Sequence, residues 1–335
     1  MARARTLAET IELSAGVFAG KVKKTVVLCE SGQALFNPGA YRAADGHTYL
    51  FVRFSTHHGN YPGWIRLHAS ANGTAFFKEK EHFIWPGYTV NDYSVGCEDD
   101  RCSPMREWLV HTHSLLLARD TRSPNRARYD DYIGVALGRA PDEAVPAGIV
   151  AMRGNKNAAC VEAGSRTFLF HRPLEWGDPP CIWCGDFSRG FEEAVRNAAD
   201  GTGGSRVPGA LPRLAPPVDN RIVLAPLPAW SVYKIGLGAQ PLAVGSRYLF
   251  TYHARSDPYQ YWWSAGFLRE KDGRLTLERL LPFPVCFPDT PWEMIGDVPK
   301  VSFLCGATRA HVGRNRALLE ADDRVDNSWL KALLP

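Results

Sequence analysis

Residues 48–68 read TYLFVRFSTHHGNYPGWIRLH, two short runs of aromatic and branched apolar side chains separated by turn-forming residues. Such runs are typical of β-strands, and they recur at residues 25–29, 108–118, 133–137, 167–171, 248–253 and 301–304. Helical periodicity is confined to residues 191–199 and to an N-terminal stretch at residues 7–18. The pattern predicts an all-β fold, a sandwich, barrel or propeller. Strand pairs recur about every 60 to 70 residues, which favours a five-bladed β-propeller.

The chain has 335 residues, which on length alone would suit about two domains. No shift in composition divides it, so we expect one propeller domain over residues 1–335, with the first ~20 residues as an extension. The Gly- and Pro-rich residues 201–217 predict an irregular insertion, and the basic residues 119–128 predict an exposed loop.

Charge and composition exclude several classes of protein. A net charge of +4 is too weak to indicate nucleic-acid binding. No run of about 18 apolar residues predicts a membrane span, and Glu9, Thr10 and Glu12 interrupt any secretory signal. Eight irregularly spaced cysteines favour free thiols, so we expect a cytoplasmic protein.

The acidic stretch GCEDDR, residues 96–101, is the most unusual cluster in the chain. One interpretation is a solvated turn. The other is a carboxyl group whose pKa is set by its acidic neighbours and Arg101, and which acts as a general acid. The residues alone leave both open.

Three cationic groups follow strand-like runs: Arg172 in HRP, Lys234 in KIGLG and His253 in YHA. Each by itself suits a structural pair or a surface charge. Together they would form an anion site, because phosphate is bound by both planar fork donors and point charges.

At this point the sequence resembles a known family. The blocks GCEDDR, NKNAACVEAGSRTFLFHRP, WSVYKIGLGAQPL, YLFTYHA and WEMIGDVPKVSFLCG occur in the order of those of glycoside hydrolase family 130, which contains β-mannoside phosphorylases and β-1,2-mannosidases. The resemblance runs from about Asn37 to Asp322, nearly the whole chain. It implies a five-bladed propeller with the active site in the central depression.

The resemblance also implies roles for single residues. It makes Asp99 the proton donor, and it makes Arg153, Arg172, Lys234 and His253 the phosphate ligands. Sugar contacts would come from Arg53 or Arg66, Glu98, Glu293 and Asp322. The chain departs from the family where Asp100 replaces a Pro and Lys300 replaces an Asn, and its C-terminal block is shortened to LLEADD.

The implied reaction is an inverting attack by inorganic phosphate on a β-mannoside, which gives α-mannose 1-phosphate. Phosphate is already an anion, so only an acid for the leaving oxygen is required; in the resembled family this acid acts through a sugar hydroxyl. A hydrolase would instead need a carboxylate base. Retention of the cationic set favours phosphorolysis over an inverting β-1,2-mannosidase or a non-catalytic carbohydrate-binding propeller.

Other motifs predict little chemistry. The pair Cys181 and Cys184 lacks a second pair for zinc and a βαβ context for redox work. No phosphate-binding glycine loop is present, so no metal and no cofactor is expected beyond phosphate as co-substrate. Residues 259–263 (YQYWW) offer sugar-stacking faces or core side chains. The expected partners are a mannoside and phosphate, not nucleic acid or membrane, and a homo-oligomer stays open.

Overall fold

The structure is a computed structural model that describes residue 28 and residues 34–55, 63–84, 94–118, 129–176, 180–200, 211–227, 233–256, 260–281, 283–288 and 305–308. Within these residues the chain forms four successive units, each built on an antiparallel meander of four strands. Glu293, Asp322 and the loop at residues 119–128 lie outside the described residues, as do the apolar runs at 25–29 and 301–304 and the expected helix at residues 7–18.

The first two units occupy the N-terminal half of the chain. The first contains β1 (Ala34–Arg42), β2 (Thr48–Ser55), β3 (Gly63–Ser70) and β4 (Phe77–Ile84), and the second contains β5 (Ser94–Met105), β6 (Trp108–Ala118), β7 (Tyr129–Gly138) and β8 (Val145–Val150). A single parallel bridge, between Gly63 and Gly96, joins them into one sheet.

The third and fourth units follow. The third contains β9 (Asn155–Ala163), β10 (Arg166–Pro173), β11 (Ile182–Asp186), α1 (Ser188–Ala199) and β13 (Val218–Leu224). The short strand β12 (Arg213–Leu214) lies between α1 and β13 in the chain but joins the sheet of the second unit. The fourth contains β14 (Lys234–Leu237), β15 (Leu242–Val244), β16 (Arg247–Ser256), β17 (Gln260–Lys271) and β18 (Arg274–Leu280). In the third unit the strand order is β13-β11-β10-β9, and in the fourth it is β14-β16-β17-β18, with β15 on β16.

Local sequence explains how the strands turn. In the hairpin from β17 to β18, Lys271 pairs with Arg274 across a two-residue turn. Asp272 and Gly273 fill this turn with φ values of 53° and 68°. Two positive φ angles match the twist of the flanking strands, and Asp-Gly is a favoured pair for that geometry.

The apolar cores lie between successive units. Phe51 and Ile65 of the first unit pack with Leu115 of the second. Val135 of the second packs with Leu169 of the third and with Phe191 of α1. Phe170 of the third packs with Phe250 of the fourth, with ring centroids 5.9 Å apart. Each unit therefore covers one face of the next, as blades do in a propeller.

The all-β class expected from the sequence is confirmed, and one of the two expected helices lies in the described part as α1. The four described units fit a propeller, while the count of five blades stays a prediction. The segment expected to be irregular includes β12, which pairs in parallel with β8. No helix among the described residues is long and apolar enough to cross a membrane.

The packing between units leads to a prediction for Phe250, which is fully buried. Its replacement by Ala should lower the free energy of unfolding by about 3–5 kcal/mol because it leaves a cavity. Urea denaturation measures this change. Phe77→Ala is the control, since Phe77 is 70% exposed. A loss of the same size in both variants would contradict the prediction.

Candidate active site

The acidic stretch 98–101 lies inside β5 and is buried, not in a solvated turn. The register with β6 slips between Glu98 and Arg101, which marks a β-bulge. Asp99 occupies the bulge with φ at 53°, in the left-handed region that an Asp adopts only at a cost. Bulges commonly turn one side chain away from the strand pattern, and here the residue is the expected proton donor.

Arg101 fixes this bulge against the fourth unit. Its guanidinium is fully buried. Its Nη1 donates to the carbonyl of Asp99 at 3.0 Å, its Nη2 to the carbonyl of Leu237 at 2.9 Å, and its Nε to the carbonyl of Gly238 at 2.6 Å. Arg101 is therefore a structural bridge between β5 and the end of β14.

The carboxyl of Asp99 meets two donors from the first unit. Asn37 Nδ2 donates to its Oδ1 at 2.8 Å, and Arg53 Nη1 lies 3.5 Å from the same oxygen. The side chain keeps 11% of its surface exposed. Both donors hold the carboxyl in a defined position.

Glu98, beside it, is held in an ion-pair network. Arg53 Nη2 lies 2.7 Å from Oε1 of Glu98, and Lys156 Nζ lies 2.9 Å from its Oε2 and 2.9 Å from Oδ1 of Asp131. Burial acts against the charge of Lys156, but the two carboxylates outweigh it and raise the pKa of the ammonium. Burial also raises the pKa of Asp131. Glu98 is thus neutralised by two cations.

The cationic cluster lies on the fourth-unit side of the site and consists of two cations, Arg172 and Lys234, together with the imidazole of His253. Gly236 shows how closely two of them approach: a Cβ added there would lie 2.5 Å from His253 Nε2 and 2.9 Å from Arg172 Nη1. Lys234 begins the same strand, and its Nζ lies 5.0 Å from the ring centroid of Tyr261.

The charges of this cluster are poorly compensated. Arg172 is 5% exposed, and its Nε and Nη1 have no hydrogen-bond partner. Burial, reinforced by Arg101, lowers the pKa of Arg172 to about 10. Burial and the charges of Arg172 and Arg255 lower the pKa of Lys234 to about 7.

His253 is uncharged at neutral pH, because burial and three neighbouring cations hold its pKa well below the usual value. The charge of Asp99 acts on the pKa of Arg172, Lys234 and Tyr261, so the acid and the cationic cluster lie within electrostatic reach of each other.

Two residues considered for the site lie apart from this arrangement. Arg153 is half exposed, with Nη2 3.4 Å from Glu175 and Nε 3.9 Å from Asp130. Arg66 pairs with Glu81 at 2.5 Å and lies over the Phe54 ring at 3.4 Å. Of Arg53 and Arg66, the structure brings Arg53 to Asp99. Arg66 pairs across the sheet with Val52 and therefore lies on the opposite face.

Sequence reasoning gave no site role to Asn37, Lys156 or Asp131. Asn37 is the Asn of FNPGA, residues 36–40, where the family resemblance begins, and Lys156 is the Lys of NKN, so both carried a signal. Asp131 carried no such signal in the sequence, because an acid in a strand is unremarkable until its partner Lys156 is known.

The site lies where the first strands of the four units come together. β1, β5, β9 and β14 contribute Asn37, Asp99, Lys156 and Lys234, and the second strands β2, β10 and β16 add Arg53, Arg172 and His253. A cavity of about 810 Å³ opens at the other end of these strands, lined by residues such as Tyr41, Arg106, Glu162 and Tyr248. None of its described lining residues belongs to the site. Within the described part of the chain, no cluster of three or more His, Cys, Asp or Glu could hold a metal ion.

Comparison with known proteins defines the class of fold. The chain aligns with β-1,2-mannobiose phosphorylase of Listeria innocua at a TM-score of 0.60 and 16% identity, over 85% of this chain and 86% of that one. A glycosyl hydrolase of Bacteroides ovatus aligns at 0.55 and 14% identity, over 79% and 75% of the two chains. A third structure, aligned at 0.56 and 14% identity over 84% of each chain, is from work on how "the GH130 family of mannoside phosphorylases contains glycoside hydrolases that target beta-1,2 mannosidic linkages in Candida mannan".

By sequence, a 1,2-β-oligomannan phosphorylase of Thermoanaerobacter sp. (strain X514) is 30% identical over 89 residues, which span 26% of this chain and 30% of that protein. No family model matches this sequence. The chain thus has the propeller-like fold of the family 130 glycosidases, and the resemblance that its sequence blocks carry is confirmed.

The ion-pair network generates a prediction for Lys156. Lys156→Met leaves the buried Glu98 and the half-buried Asp131 with one fewer cation, and loss of one partner of a buried pair costs about 3–5 kcal/mol. The free energy of unfolding should fall by that amount. Lys80→Met is the matched control, since Lys80 pairs at an exposed surface with Asp142 at 3.4 Å. Equal losses in chemical denaturation would contradict a buried network.

Proposed function

We propose that this protein cleaves β-1,2-linked mannosides by phosphorolysis, with inversion at the sugar carbon, and releases α-mannose 1-phosphate. The observation that carries the proposal is the buried Arg172, with two unpaired N–H groups, beside the half-buried Lys234 and within electrostatic reach of the carboxyl of Asp99. A β-1,2-mannobiose phosphorylase with a similar fold supports the proposal.

An anion accounts for the cationic cluster. Within the described residues, no salt bridge joins Arg172 or Lys234 to a carboxylate. Arg172 is buried and Lys234 is half-buried, and two such cations repel each other and lose hydration, which is costly unless an anion compensates them. A phosphate dianion would supply acceptors to the free N–H groups of Arg172 and compensate both charges. His253, which is neutral, would add one more hydrogen bond.

The reaction then requires few protein groups. An oxygen of the bound phosphate forms a bond to C1 of the mannosyl group as the bond from C1 to the leaving oxygen breaks. The electron pair of that bond passes to the leaving oxygen, which receives a proton from Asp99, directly or through a sugar hydroxyl. Asn37 and Arg53 then stabilise the Asp99 carboxylate. Holding phosphate and sugar in line supplies much of the rate enhancement.

Hydrolysis is the competing activity, because the family described above also contains glycoside hydrolases. A hydrolase needs a carboxylate to take a proton from water. Asp131, an acid of the neighbouring ion-pair network that also feels the charge of Arg172, is already bound at Oδ1 by Lys156 at 2.9 Å. This arrangement favours phosphate over activated water as the nucleophile.

The first test measures the products from β-1,2-mannobiose with and without inorganic phosphate. We expect α-mannose 1-phosphate, detected by phosphorus NMR, and turnover that rises with phosphate. Asp99→Asn should lower kcat by about 10²–10⁴-fold, as loss of a general acid does. Undiminished cleavage in phosphate-free buffer would establish hydrolysis instead. Retained glycan binding without turnover of any mannoside would favour a binding protein.

The second test concerns the charge of Lys234. Its pKa of about 7 means that part of the protein carries a neutral amine at pH 8. Anion binding favours the ammonium, so binding should take up a proton there and should weaken as the pH rises above 7. Sulfate is the probe, because it does not titrate in this range.

Calorimetry at pH 8 in buffers of different ionisation enthalpy measures this uptake. Lys234→Met should abolish it, whereas Lys80→Met, at the exposed pair with Asp142, should leave it unchanged. An equal uptake in the wild type and in Lys234→Met would assign the proton to another group.

A further inference from the structure

A buried carboxylate–imidazole pair lies directly behind the proposed proton donor. Asp100 and His111 both have 0% of their surface exposed. Oδ2 of Asp100 lies 3.0 Å from Nδ1 of His111, on the neighbouring strand β6. The reaction derived above uses neither group.

The surroundings of His111 make this contact a strong one. Its ring packs against Phe51 at 4.6 Å and Phe83 at 5.2 Å, both edge to face, and its Nε2 lies 4.0 Å from Sγ of Cys102. Burial acts against the imidazolium, but the neighbouring Cys102 and Asp100 outweigh it and raise the pKa of His111 to about 10. Because apolar walls weaken screening, a charge-assisted hydrogen bond holds the Asp100 side chain firmly.

The backbone of Asp100 is held as well. Its carbonyl accepts a hydrogen bond from the thiol of Cys305 at 3.5 Å. The same carbonyl packs so closely on β1 that a Cβ added to Gly39 would lie 2.6 Å from it. Asp100 is thus fixed by β6 through its side chain, and by β1 and Cys305 through its carbonyl.

This anchoring bears on Asp99, whose left-handed φ of 53° is unfavourable for a residue with a side chain. Such a conformation persists only where the neighbouring structure imposes it. Arg101 holds the Asp99 carbonyl from one side, and Asp100 holds the following peptide from the other. Release of either would let the bulge relax and turn the Asp99 carboxyl away from Asn37.

We propose that Asp100 and His111 form a positioning pair for the proton donor: their contact keeps Asp99 in the left-handed conformation that directs its carboxyl toward Asn37, Arg53 and the cationic cluster. The pair touches neither sugar nor phosphate. In its kinetic consequence this inference rests on the proposed phosphorolysis.

The kinetic test compares Asp100→Ala, which removes the contact, with Asp100→Asn, which keeps an acceptor for His111. We expect kcat for phosphorolysis of β-1,2-mannobiose to fall by about 100-fold in the first and by about tenfold in the second, since small misplacement of a catalytic group has effects of this size. The KM for phosphate should stay within about twofold, because the anion site is untouched.

His113→Gln is the matched control. His113 is 2% exposed and lies two residues along the same strand as His111. Its replacement should lower the melting temperature while kcat stays within about twofold. A folded Asp100→Ala variant with wild-type kcat, or a His113→Gln variant with the same loss of kcat, would overturn the inference.

A crystal structure of the Asp100→Asn or Asp100→Ala variant tests the inference without any assay. We expect Asp99 to leave the left-handed region and to lose its contact with Asn37 in Asp100→Ala, and Asp100→Asn to retain both. An unchanged Asp99 in Asp100→Ala would overturn the positioning role. If the wild type shows no phosphorolysis, the proposed function fails, and this structural comparison still decides the inference.

Discussion

The site depends on one buried guanidinium. Arg101 donates to the carbonyls of Asp99, Leu237 and Gly238, and so joins the second unit to the fourth. A buried cation without these acceptors would be costly, so the two strands stabilise each other's position. Because Lys234 lies on the strand that ends at Leu237, the same contact fixes the acid relative to the cationic cluster.

The charges of the site are distributed unevenly, and this distribution supports the proposed reaction. On the acid side, Glu98 pairs with Arg53 and Lys156, and Lys156 also pairs with Asp131, so each carboxylate of this network faces a cation. On the other side, Arg172 and Lys234 have pKa values lowered by burial and by like charge. The protein tolerates this unfavourable state because the surrounding units bury large apolar cores. An anionic substrate would remove the cost, which couples binding to protonation of Lys234.

Much of the fold could be predicted from sequence, because short apolar runs between turn residues are a local signal. The run at residues 108–118 is strand β6 at the same bounds. The site was harder to predict from the sequence. The order of its blocks pointed to Asp99, Arg172, Lys234 and His253, but GCEDDR alone could not be distinguished from a solvated turn. The bulge that buries it arises from contacts with distant residues, such as Gly39 and Leu237, which no local pattern reveals.

Arg53 and Arg66 also show that a local sequence pattern does not predict which residue of a sheet faces the site. Both follow apolar residues in similar strands, and only the register of β2 with β3 shows that they lie on opposite faces. Asp131 gives a further case, since its role depends on a cation 25 positions away in sequence. The alternation of side chains along a strand can be read from the sequence. Which of the two faces of the strand lies toward the site is set by packing between the units.

The central claim is that Arg172 and Lys234 bind the phosphate that attacks a sugar held beside Asp99. A crystal structure of Asp99→Asn with inorganic phosphate and β-1,2-mannobiose tests it most directly. We expect phosphate oxygens at about 2.7–3.2 Å from Arg172 and from Lys234, with the mannosyl C1 between the phosphate and residue 99. Phosphate bound elsewhere, or a mannoside on another surface, would contradict the account.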